Sequence, residues 1–87
     1  MATVTKAKLV WPQRPRRGNH NSLGRVQYWT TACGAYRVER FPEYSGRYLA
    51  LYSDPRMGGV WHLLSRHVKL GPAQRACERH GVLRKDG

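Results

Sequence analysis

Apolar side chains are unevenly placed along this chain. Before residue 26 they are sparse. A short run, Leu9-Val10-Trp11, is followed by Pro12-Gln13-Arg14-Pro15-Arg16-Arg17-Gly18-Asn19-His20-Asn21-Ser22, which carries no aliphatic side chain outside proline. Proline favours extended backbone, and the Gly, Asn and Ser that follow favour turns. Residues 1–25 therefore read as a flexible, disordered basic arm, with Leu9–Trp11 as the stretch suited to pin it to a body. From Val26 the pattern changes. Val26-Gln27-Tyr28-Trp29-Thr30-Thr31 is rich in β-branched and aromatic residues, as strands are. Tyr36-Arg37-Val38-Glu39-Arg40-Phe41 alternates, with Tyr36 and Val38 on one face and Arg37 and Glu39 on the other. Tyr48-Leu49-Ala50-Leu51-Tyr52 is a continuous apolar run of strand length between two turn segments, 42–46 and 53–59, and Val60–Leu64 is a further strand. The short connections predict an antiparallel meander.

The last element has a different period. Ala73, Ala76, Cys77 and His80 fall at i, i+3, i+4 and i+7, one narrow face of a helix. Pro72 suits its first turn, Gly81 suits its C-terminal cap, and Arg79 and His80 lie near the negative end of its dipole. A helix so short is unstable alone in water and must pack on the sheet, through the small Ala76 and Cys77. The expected fold is α+β: a three- or four-stranded antiparallel meander packed on one C-terminal helix (β-β-β-α), preceded by the arm. The boundaries are an arm over 1–25, a single small domain over 26–83 and a tail over 84–87.

Charge narrows the function classes. Twelve arginines and four lysines stand against five acidic residues, a formal net charge of +11. Self-repulsion on that scale opposes compaction, so the excess points to a polyanionic partner, of which nucleic acid is the commonest. The arginine excess also fits forked phosphate contacts and stacking on bases, although a GC-rich genome would produce the same skew. Hydrophobic residues make up 40% of the chain, too many for a wholly disordered protein. Two cysteines, Cys33 and Cys77, are too few for a disulfide scaffold. With no apolar leader and no run near membrane-spanning length, a cytoplasmic location is the default.

Basic and aromatic residues interleave, a combination used to hold phosphates and stack bases. The candidate nucleic-acid-binding residues are Arg14, Arg16, Arg17 and Arg25 in the arm, and Arg37, Arg40, Arg47 and Arg66 in the body. Tyr28, Tyr36, Tyr44, Tyr48, Tyr52, Trp29 and Trp61 lie around the latter. Cys33, His62, His67, Cys77 and His80 are possible metal ligands, but they form no paired knuckle, so no metal and no cofactor is expected. The acids are scattered, and no nucleotide-binding or nucleophile motif occurs. A metal-independent ribonuclease would draw on His62, His67, Arg66 and Tyr52 for proton transfer and charge stabilisation.

In element order, residues 26–83 resemble small sheet-reading DNA-binding domains of the integrase-arm type, which implies that the exposed sheet face is the reader. Tyr36-Arg37-Val38 together with Gly46-Arg47-Tyr48-Leu49-Ala50-Leu51-Tyr52 is similar to the core strands of RelE-like ribonuclease toxins, which carry helices where this chain has its proline-broken segment. The leading expectation is a non-enzymatic nucleic-acid-binding module using a basic arm and an Arg/aromatic sheet face. The alternatives are a module for an acidic protein partner and a small metal-independent ribonuclease or toxin.

Overall fold

A computed structural model describes residues 9–54, 56 and 58–84, the last three as helix backbone. The chain runs β1 (Arg16–His20), β2 (Gly24–Thr30), β3 (Tyr36–Arg40), β4 (Tyr48–Ser53), β5 (Trp61–His67) and α1 (Leu70–Arg84). The strands form one antiparallel sheet in the order β1-β2-β3-β4-β5. The fold is α+β, a meander with one C-terminal helix, and it has five strands where three or four were expected.

The additional strand lies in the stretch expected as a disordered arm. β1 reads Arg-Arg-Gly-Asn-His and is exposed at four of its five positions, so no hydrophobic alternation marks it. Its ladder to β2 and a tight turn hold it in place. The His20 ring nitrogen Nδ1 accepts from the backbone N–H of Ser22 (3.1 Å) and Leu23 (3.2 Å), and Gly24 takes φ +80°. The expected pinning of the N-terminal segment is present: Leu9 and Trp11 pack against the core, the Ala32 N–H donates to the Val10 carbonyl (3.0 Å), and Trp11 Nε1 donates to Glu78 (3.2 Å). Residues 1–8 of the expected arm and 85–87 of the tail lie outside the described residues.

Trp29, Tyr36, Val38 and Ala50 meet Ala73 and Cys77 of the helix in one core. Ala73 and Cys77 are small, which lets α1 approach β3, β4 and β5 closely, and these three strands carry most of its packing. Burying Val38 completely contributes about 1.5–3 kcal/mol. Two helix expectations need correction. α1 begins at Leu70 and continues through Gly81 to Arg84, so Gly81 is not its cap. Gly81 faces Tyr36 across the core: a Cβ there would stand 3.4 Å from the Tyr36 hydroxyl, at ordinary van der Waals contact. The hydroxyl itself is 2.9 Å from His80 Nδ1. β5 is also longer than expected, continuing past Leu64 to His67, with its register to β4 shifted between Ala50 and Leu51.

Candidate nucleic-acid interface

Because α1 packs mainly on β3, β4 and β5, the helix-side face is open along β1 and the part of β2 beside it, up to Gln27; beyond that, Trp29 is buried in the core. Register sets what stands there. Arg17 lies opposite Gln27, and Asn19 opposite Arg25. These residues, with Gly18, Val26 and Pro42, line a groove of about 520 Å³. The row continues across the sheet, from Gln27 to Arg40 and from Arg40 to Tyr48. Arg40 is engaged on three sides: Nη1 donates to Gln27 Oε1 (3.3 Å), Nε donates to the Gly46 carbonyl (3.2 Å), and the guanidinium lies 5.3 Å from the centre of the Tyr48 ring. Arg25 meets Glu43 at 3.6 Å, with both side chains more than half exposed (78% and 54%), so the pair holds little energy and yields readily to an anion. The Arg25 N–H also donates to that carboxylate (3.0 Å). Arg14, Arg16 and Arg17 are exposed and have no ion pair among the described residues. Pro42 and Tyr44 belong to the β3–β4 turn, where the Phe41 carbonyl accepts from the N–H groups of Tyr44, Ser45 and Gly46 (3.1, 3.2 and 2.9 Å).

The opposite face differs from the expected Arg/aromatic reader. At its centre Arg37 is tied up. Its guanidinium lies 4.4 Å from the centre of the Trp61 ring and 4.7 Å from that of Tyr28, while Nε donates to Thr30 Oγ1 (3.1 Å) and Nη1 meets Glu39 (3.2 Å). Both members of that ion pair are mostly withdrawn from solvent, at 24% and 21% exposure. Leu51 and Phe41 are buried beside them, and Leu63 is 45% exposed. Arg16, aligned with Tyr28 on β1, and Arg66, aligned with Leu49 on β5, stand on the two edge strands. Trp61 thus lies over Arg37, away from the helix-side core.

The eight expected residues are therefore divided. Arg17 and Arg25 share the groove, with Arg40 reaching it through Gln27. Arg14 is exposed just before β1, Arg16 stands on β1 toward the opposite face, and Arg47 is exposed in the β3–β4 turn. Arg37 and Arg66 lie elsewhere. Asn19, Gln27 and Pro42 were not singled out in the sequence. The signal for Asn19 is its alternation with Arg17, which has meaning only once β1 is known to be a strand.

Of the expected ribonuclease set, Tyr52 and His62 come together, but Arg66 and His67 do not join them. Arg66 shares the open face with Leu49, whereas His62, His67 and Tyr52 point to the helix side. His62 and His67 are also five residues apart on one strand, about 17 Å. His67 Nε2 is 2.6 Å from Ser65 Oγ, and Tyr52 stacks between His62 and His80, at 5.2 and 4.6 Å between ring centres. No group of three or more His, Cys, Asp or Glu suited to a metal occurs among the described residues. Cys33 is exposed in the β2–β3 turn, where the Thr31 hydroxyl, 3.3 Å away, lowers its pKa. Among the described residues no helix is long and apolar enough to cross a membrane. Comparison of the chain with protein-family models, curated proteins and solved structures finds no significant match.

Proposed function

We propose that this protein binds nucleic acid through its β1–β2 edge. The observation that carries the reading is the open end of the helix-side face at β1 and the adjoining part of β2, where Arg17, Arg25, Asn19 and Gln27 line one groove and the nearest acid, Glu43, is exposed. Arginine there supplies forked donors for phosphate, and the amides supply donors and acceptors for bases. The net charge of +11 adds long-range attraction for a polyanion. Relative to the sequence-based expectation, the weight moves from the open sheet face to the edge, because Arg37 is already satisfied by Glu39.

A salt titration followed by fluorescence anisotropy tests this. If Arg14, Arg16, Arg17, Arg25 and Arg47 each neutralise one phosphate, log K falls against log salt with a slope near −4.5 for duplex DNA and about −3.5 for a single strand. A slope near zero would remove the proposal.

The open face favours a second reading. The exposed Leu63 lies on the face that also carries Arg16 and Arg66, which suits an apolar contact from a protein partner with acidic flanks. A complex that survives nuclease and is lost in Leu63→Lys would support that reading over the first.

A further inference from the structure

We infer that the groove takes a single-stranded nucleic acid with unpaired bases. The inference rests on the proposed nucleic-acid reading and narrows it. A duplex keeps its base edges at the floor of its own grooves, so a protein reads them with an element that projects. Here the relation is reversed. Gln27 is half-buried and, with the exposed Asn19 diagonal to it, lines a concavity of about 520 Å³, a volume typical of small-ligand sites and large enough for one nucleotide.

The chemistry of the lining agrees. Directly opposed residues on paired strands stand about 5 Å apart, and alternate residues along a strand about 6.8 Å apart. Arg17, Gln27, Asn19 and Arg25 thus form a small square with arginines on one diagonal and amides on the other. An unpaired nucleotide presents a phosphate and a free Watson–Crick edge over a similar span. Arg40 fixes how Gln27 takes part. A guanidinium only donates, so Gln27 Oε1 faces Arg40 and its NH₂ group is left to meet an acceptor on the base. In the β3–β4 turn, two residues beyond the groove-lining Pro42, the Tyr44 ring is 70% exposed. An exposed ring held by a short turn serves as a platform for the next base.

The test uses a fluorescein-labelled single strand of about 12 nucleotides, as DNA and as RNA, and the same strands annealed to their complements. Single strands are expected to bind about tenfold or more tightly than the duplexes at equal salt. Tyr44→Ala is expected to weaken single-strand binding about fivefold or more while leaving the salt slope unchanged, and Asn19→Ala to weaken it as well. Duplexes bound as tightly as single strands would overturn this inference and leave the nucleic-acid reading standing. A single-strand preference untouched by both substitutions would overturn the role of the groove. Failure of every probe to bind would overturn both the inference and the reading beneath it.

Discussion

The Cys77 thiol has no solvent exposure, and its Sγ lies 3.8 Å from the Leu51 carbonyl and 4.0 Å from that of Arg37. Burial pushes its pKa up to about 12, against the weak contact with Leu51. In the unfolded chain a cysteine titrates near 8.5. The folded state therefore keeps a proton that the unfolded state gives up. The stabilisation is complete below pH ~8.5 and is lost as pH rises toward the folded value, at up to about 1.4 kcal/mol per pH unit. Urea midpoints measured under reductant from roughly pH 8 to 11, for the protein and for Cys77→Ala, check this. The stability difference between the two should shrink as pH rises, whereas parallel curves would contradict it. This burial was legible in the sequence, because Cys77 shares its helical face with Ala73 and Ala76. The state of Arg37 was only partly legible. Alternation placed Arg37 and Glu39 on one face, but not the contact with Trp61, which comes from a strand two places away in the sheet.

At the scale of elements, what the sequence concealed is β1. Hydrophobic alternation revealed β3, β-branched and aromatic composition revealed β2, and a continuous apolar run revealed β4, all of them signs of a strand that buries side chains. An edge strand exposed on both faces has no such signature, and its arginines also discourage edge-to-edge pairing with other sheets. The sequence clue was in the turn, where Asn21-Ser22 and Gly24 follow His20. Gly24 should accordingly be intolerant of change. A side chain at φ +80° is strained, and a Cβ there would lie 2.5 Å from Glu43 Oε1, displacing the carboxylate that accepts from the Arg25 N–H. Gly24→Ala is expected to cost more than about 1 kcal/mol in urea unfolding and to speed hydrogen exchange at the β1 amides. An unchanged midpoint with unchanged exchange would show that the hairpin does not depend on this turn. The same reasoning explains the misread helix end. Glycine at position 81 has the composition of a cap, yet the helix runs through it to Arg84, packed against Tyr36 across the core.

For the whole molecule, the amount of positive charge is legible in the sequence but its distribution is not. The protein is elongated, 49 × 27 × 19 Å, and its cations occupy several surfaces: the β1–β2 edge, the β3–β4 turn, the open face at β5, and the exposed side of α1 at Arg75 and Arg79. Charge spread in this way attracts a polyanion from any direction. What sets the edge apart is the cluster of amide and arginine side chains in a groove that the helix leaves uncovered. The account thus depends on the edge mattering more than an equal charge elsewhere. Two variants with matched charge separate these cases. Arg16, Arg17 and Arg25 are changed to Ala in one, and Lys69, Arg75 and Arg79 in the other, each removing three charges from +11. Titration of both against a labelled single strand over a range of salt is the most direct test. The edge variant is expected to lose at least about tenfold in affinity and to flatten the salt slope by about 2, while the helix variant changes the slope by less than about 1. Equal losses in the two variants would contradict the account, because binding would then follow net charge and not the β1–β2 edge.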